Sequence, residues 1–220
     1  KDSIICKVDG ELTDLSAQLL NDCDLQFMDA KSKDGHSVLL HSTAHLMAQA
    51  VKRLFPKTKV TIGPYLENRF YYDFDVETPF SEEDLAKIEK EMHKISKENL
   101  EITHEITSRK DALGLFKKMK EPYKLEIIDD LDKEEVIKTY SQGEFTDLCR
   151  GPHVPSTGVI KHFKLLSSSA AYWRGDENNQ TLQRVYGTSF PDEKDLKKYL
   201  TMLEEQKKRD HRKIGKELDL

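Results

Sequence analysis

Apolar side chains at Ala44, Met47, Ala48, Val51, Leu54 and Phe55 recur at three- and four-residue steps until Pro56 stops the run. That period marks a helix with one face turned into a core, so residues 37–55 are predicted to be helical. The flanking chain carries the other period. Residues 58–62 and 70–76 read as strands about a Gly63-Pro64 turn, the second of them rich in aromatics. Ser81, with Asp84 three positions on, opens a second helix whose stripe is Leu85, Ile88, Met92 and Ile95. Residues 101–107 alternate as a strand. Ser108 and Asp111 then open a third helix carrying Ala112, Leu115, Phe116 and Met119, which Pro122 is expected to close. A chain that switches period this often belongs to the α+β class, with antiparallel sheets packed against helices.

The second half is read mainly as hairpins: residues 136–142 and 145–149 about Gly143-Glu144, a strand at 159–166, then 170–174 and 181–186 about a polar turn. After Pro191 a long charged helix carries Leu196, Leu200 and Leu203. Residues 4–30 suggest short strands, a turn at Asp9-Gly10 and a short helix over 12–20. Thirty residues bury too little to fold alone, so this piece reads as the end of a small domain whose earlier part lies outside the chain. The expected organisation is 1–35 as that partial domain, 36–190 as a complete one, and 191–220 as a linker helix.

Composition removes several classes of function. Among 220 residues, 35 Lys and Arg face 40 Asp and Glu, a formal charge of −5, which argues against coating nucleic acid by bulk electrostatics. Local grip on one nucleic-acid end stays open. No apolar run is long enough to span a membrane, and the start at Lys1, with no methionine or apolar leader, reads as a cut. Cys6, Cys23 and Cys149 are odd in number and widely spaced, which speaks against a disulfide framework and for a reducing, cytoplasmic setting.

Two short patterns carry chemistry. His41 and His45, four apart on the first helix, share a face. In Phe145-Thr146-Asp147-Leu148-Cys149-Arg150-Gly151-Pro152-His153, alternation puts Phe145, Asp147 and Cys149 on one side. Gly151 and Pro152 then let His153 swing back toward Cys149. Taken singly, each is an ordinary core or loop residue. Together, His41, His45, Cys149 and His153 make a set that can bind zinc tetrahedrally, or can surround a water and a reactive carbonyl without metal. Cys149 as a nucleophile ranks last, because Asp147 on its own face opposes a thiolate.

The stretches HSTAHLMAQAV (41–51), IGP (62–64), FYYDFD (70–75), EPYKLEII (121–128), FTDLCRGPHV (145–154), AAYWRGDENNQTLQRVYGTSFP (170–191) and RDHRKIGKELDL (209–220) resemble the amino-terminal editing region of threonyl-tRNA synthetases over nearly the whole chain. The His and Cys patterns alone also mark alanyl-tRNA synthetase editing domains and free-standing alanyl deacylases, and the AYWRGDE and RDHRKIGKELDL stretches favour the threonyl family. The resemblance implies a partial β-grasp domain over 1–35, an editing domain over 36–190, and hydrolysis of serine from mischarged threonine tRNA. It implies that His41, His45, Cys149 and His153 line the centre. Lys124 would stabilise the developing oxyanion, His153 would position water, Asp147 would meet the substrate amine, and Tyr72, with His41, would contact the terminal adenosine or its serine.

The same resemblance implies that editing needs no cofactor, with zinc on the four ligands as an option. ATP, magnesium and a further zinc would belong to a catalytic domain outside these residues. The expected partner is threonine tRNA, through the 3′-terminal adenosine carrying serine, with no membrane; the whole enzyme would be a homodimer and this stretch a monomer. Two alternatives compete: a zinc-dependent alanyl-type deacylase, and a non-catalytic zinc-stabilised RNA-binding module. Arg69 departs from the family, which commonly has glycine before the FYYD strand. Basic runs at Lys117, Lys118 and Lys120, and at Lys207, Lys208, Arg209, Arg212 and Lys213, could meet phosphate, although helical charge runs are more often solvated faces.

Overall fold

A computed structural model describes residues 2–217, with side chains to residue 209; Arg212 and Lys213 of the last basic run therefore lie outside the described side chains. Among the described residues the architecture is α+β, with three antiparallel sheets and five α-helices. The first sheet has the order β2 (Glu11–Thr13), β1 (Ser3–Val8), β3 (Leu25–Asp29). Residues 14–24 hold no helix, so the expectation of one over 12–20 fails. Leu19 and Leu20 are exposed, so this apolar run has no face to bury and nothing to drive a helix.

The centre of the molecule is α1 (Lys33–Leu54), capped by Ser32, whose Oγ accepts from the Gly35 amide at 3.1 Å. From Val38 to Val51 it is buried on nearly every side except at His41. Such burial requires partners all round. They are the first sheet through Ile4 and Ile5, the aromatic strand β6 (Arg69–Asp75), and α2 (Glu82–Glu98), and all share one apolar core. Ser81 and Asp84 cap α2 reciprocally, as the spacing predicts.

The second sheet runs β10 (His162–Tyr172), β11 (Thr181–Phe190), β6, β4 (Lys59–Val60), with the short β5 (Tyr65–Leu66) also on β6. The two strands expected at 159–166 and 170–174 are one, β10, which a bulge between Leu165 and Ser167 carries across its exposed stretch of small residues. The third sheet is β7 (Ile102–Thr107), β8 (Ile137–Gln142), β9 (Phe145–Leu148).

Pro122 does not close the third helix. The helix α3 (Arg109–Met119) ends at Lys120, which takes the left-handed conformation at φ 59°, and Pro122 opens a further helix, α4 (Pro122–Asp130). Proline suits a first helical turn, where its missing N–H would have no partner. This extra helix carries Lys124 to the site. The last helix, α5 (Glu193–Glu217), leaves over β11, where Tyr199 accepts a hydrogen bond from Arg69 Nε at 2.8 Å. Arg69 sits in regular strand pairing with Leu66, so its side chain ties α5 to the β5–β6 hairpin without disturbing the turn.

Candidate functional site

Mid-helix on α1, His41, Ser42 and His45 face the chain that follows β9. Cys149 Sγ lies 3.0 Å from His41 Nε2 and 3.3 Å from His153 Nε2. The His153 ring stacks on His41 with centroids 4.6 Å apart and tilts against His45 at 4.3 Å. One donor atom from each of His41, His45, Cys149 and His153 lies within 4.8 Å of the others. The reversal that brings His153 back turns on Gly151 at φ +71°, where an added Cβ would meet the Tyr140 hydroxyl.

The second half of the site is charged. Asp147 is 1% exposed and forms a close ion pair with Lys124, itself 1% exposed. Its Oδ2 accepts from Tyr72 Oη at 2.7 Å and lies 3.6 Å from His45 Nε2, while Oδ1 accepts from the Leu148 amide. Lys124 Nζ also donates to the Thr61 carbonyl and, at 3.1 Å, to Tyr72 Oη. His41, His45, Tyr72, Lys124, Asp147, Cys149 and His153 are therefore in one place. Tyr72 differs from expectation in one respect. Its ring is fully buried beneath Gly63, where any Cβ would strike it, so only its hydroxyl can reach a ligand.

Burial sets the protonation. It drives the imidazoles of His45 and His153 well below their usual pKa, each helped by neighbouring histidine, and it lowers His41 as well. All three rings are neutral near pH 7. The Cys149 thiol is pushed up to about 12, first by burial and then by Asp147 against the Gly151 amide, so it stays protonated. An unactivated thiol is a poor nucleophile.

Neutral groups in contact must alternate donor and acceptor, and the network fixes the order. The Val154 amide donates to Ser42 Oγ at 3.1 Å, and the Ser42 hydroxyl then donates to His153 Nδ1 at 3.0 Å. His153 Nε2–H points at Cys149 Sγ, and the thiol hydrogen at His41 Nε2. The row ends at His41 Nδ1, a buried ring nitrogen outside good hydrogen-bond geometry, although the Gly63 backbone is close enough to raise the ring's pKa against its burial. An orphaned buried donor of this kind is where a ligand or water belongs.

Two further residues hold the site, and sequence reasoning did not name them. Ser42 is fully buried beside His41, and a serine on an otherwise apolar helix face was the available signal. Asp14, just after β2, is 90 to 139 residues away from its side-chain and loop partners and gives no sequence signal: its Oδ1 accepts from the His153 amide at 2.8 Å, and its Oδ2 accepts from Tyr140 Oη at 2.7 Å and lies 3.4 Å from His104 Nδ1. Among the described residues neither basic run reaches the site. Lys117, Lys118 and Lys120 are exposed at the end of α3, and Lys207, Lys208 and Arg209 are exposed on α5.

The donor set also passes a chemical test for zinc. Zn–S near 2.3 Å and Zn–N near 2.0 Å place tetrahedral ligand atoms roughly 3.5 Å apart; the two pairs at Cys149 stand at 3.0 and 3.3 Å while the four atoms spread to 4.8 Å, so binding would require the ligands to rearrange, with loss of the thiol proton. Ligation through His153 Nε2 would also require the other tautomer, with Nδ1–H donating to Ser42 Oγ as ligating histidines do to the groups that orient them.

Residues 137–186 match the family described as the threonyl and alanyl tRNA synthetase second additional domain. Over all 220 residues the chain is 54% identical to a threonine–tRNA ligase of Pelobacter propionicus and 52% identical to one of Rickettsia bellii. It is 57% identical to that of Maridesulfovibrio salexigens over 221 aligned positions. The chain spans about a third of the length of these relatives, 34 or 35% in each case.

Proposed function

We propose, from the premise that this chain belongs to the threonyl-tRNA synthetase family, that it is the part that removes serine from mischarged threonine tRNA by hydrolysing the ester at the 3′-terminal adenosine. The observation that carries this reading is the hydrogen-bonded row from Ser42 through His153 and Cys149 to the free His41 Nδ1, lying beside the buried Lys124–Asp147 pair. On this reading residues 1–35 close a small preceding domain, 36–190 are the editing domain, and 191–220 lead toward the synthetic part of the enzyme. A second site is needed because serine lacks only one methyl of threonine. A pocket sensing one such group gains about 1–3 kcal/mol, roughly 10–200-fold.

Hydrolysis needs a held water, a proton acceptor and a donor for the oxyanion. The water accepts from His41 Nδ1–H, which holds and orients it; because the row donates toward the water, the proton the water loses on attack passes to the departing ribose oxygen. Lys124 donates to the ester oxygen by giving up the Tyr72 hydroxyl, the one uncharged side-chain acceptor among its three partners. Asp147 then stays paired with Lys124 and receives the serine ammonium at the oxygen that Tyr72 shares. A site this enclosed has little room for a further methyl.

A second reading rests on the donor types alone. When bound by His41, His45, Cys149 and His153, zinc would lower the pKa of a coordinated water. Metal analysis of the purified chain tests it directly, and retention of deacylation in chelator sets it aside.

The decisive assay compares loss of serine and of threonine from threonine tRNA. Rapid release of serine with stable threonyl-tRNA is the expected outcome; equal rates would refute editing by size. ATP-dependent ligation and dimerisation are proposed for the longer enzyme, whose further domains would supply them.

A further inference from the structure

Around the edge of the second sheet from this centre lies a separate cavity of about 390 Å³. That is within the roughly 300–1,000 Å³ typical of small-ligand sites. Its walls are Ile62 and Ile127 on the near side, Tyr172, Trp173 and Arg174 in the β10–β11 turn, and Arg184 on β11. Two elements join it to the centre. Ile62 lies between Thr61, whose carbonyl accepts from Lys124, and Gly63, which rests on the Tyr72 ring. Ile127 lies one turn beyond Lys124 on α4.

The chemistry of this cavity is that of a planar heterocycle, with aromatic rings and two guanidinium planes whose charges are paired within the protein. Arg184 is held flat by two 2.7 Å bonds to Asp73, with its guanidinium 4.0 Å from the Tyr71 ring centroid, which leaves one planar face outward. Arg174 stands 5.3 Å over the Trp173 ring and pairs with Asp130, so both carboxylates of the cavity are already neutralised. Tyr172 is 47% exposed and Ile62 is 44% exposed, unusual for large apolar side chains in a strand and at a strand end. Aromatic and arginine planes with nearby donors are how proteins hold unpaired bases.

We propose that this cavity seats the cytidine nucleotides that precede the 3′-terminal adenosine of tRNA, gripping the single-stranded end while its ester lies at His41. The inference rests on the editing reading of the neighbouring centre. It predicts that 3′-seryl-CpCpA is hydrolysed with a kcat/KM about fivefold or more above that of 3′-seryl-adenosine, since one stacked base contributes about 1–3 kcal/mol. Tyr172→Ala and Arg174→Ala should each remove most of that advantage through KM while leaving seryl-adenosine hydrolysis unchanged, which also shows that the variants are folded.

Trp173 is the only tryptophan in the chain and lines the cavity, so its emission reports occupancy without any hydrolysis. Uncharged CpCpA should shift it and adenosine alone should not. Should Trp173 emission ignore CpCpA, or should both variants keep the full trinucleotide advantage, the subsite is wrong. Should CpCpA move Trp173 while neither ester is hydrolysed, the subsite stands and the editing reading falls.

Discussion

Lys124 and Asp147 are each 1% exposed, and among the described residues each is the other's only charged partner of opposite sign within bonding range. Removing one charge strands the other, and an uncompensated buried charge costs about 3–5 kcal/mol. Lys124→Met should therefore abolish deacylation of seryl-tRNA and also lower stability by that order, so loss of activity must be read beside a melting curve. Lys124→Met with Asp147→Asn removes both charges and should recover most of the stability while leaving activity absent. Recovered activity in the double variant would eliminate Lys124 as the oxyanion donor. Asp14 tests positioning in place of charge. Asp14→Asn keeps an acceptor for the His153 amide and should retain most activity. Asp14→Ala frees the loop that carries His153 and should lower kcat about tenfold or more with little change in KM, the pattern of a lost transition-state interaction. Equal kcat in the two variants would show that Asp14 only supports the fold.

At the level of elements, the parts legible from sequence were those whose period is set by one buried face. The stripe from Ala44 to Phe55 located α1, and Ser81 with Asp84 located the start of α2, because cap and stripe agree there. The failures have local physical causes. Lys120 adopts a left-handed backbone that glycine usually supplies, so α3 ends without its usual signal and the proline after it was read as the stop. With that boundary misplaced, α4 was invisible, even though Lys124 itself was recognised. The His and Cys pairs were legible because four-residue helical spacing and strand alternation each fix a face. Asp14 was not, because a contact spanning more than 100 residues leaves no periodic trace. Lys120 yields a simple test. Lys120→Gly removes the left-handed penalty and should stabilise the chain by about 0.5–1 kcal/mol, read as a higher denaturation midpoint with unchanged deacylation. A lower midpoint would mean that the Lys120 side chain holds a contact of its own.

Across the whole molecule, the first sheet, α1, α4 and the β8–β9 hairpin all converge on one water-poor centre, and that ties its chemistry to global stability. Three imidazoles are buried there in neutral form, with pKa values below the ordinary 6.5. Well above pH 6.5 neither the folded nor the unfolded chain protonates them, and they have no effect. As pH falls through 6.5 the unfolded chain takes up protons that the folded chain refuses, so stability must fall with acidification. Each fully suppressed histidine contributes a slope of at most about 1.4 kcal/mol per pH unit, or about 4 kcal/mol per unit for the three. His93, exposed on α2 but shifted down by partial desolvation where its ring stacks on Phe163, adds in the same direction. Carboxylates act in a lower window: Glu144, hydrogen-bonded by Arg53, is held down to about 2 against an ordinary 4.5, so its contribution persists until pH drops below 4.5. The interval from 6.5 to 4.5 therefore belongs to the histidines. Denaturant titrations in chelator at pH 7.5, 6.5 and 5.5 should show a loss of up to about 1 kcal/mol between the first two and up to about 3 kcal/mol more at the third. Added zinc should steepen the fall if the four ligands bind it, because ligation requires the same neutral rings and a thiolate. A profile flat to pH 5.5 would mean that the histidines protonate in place, and the neutral row ending at His41 could not then be the hydrolytic device.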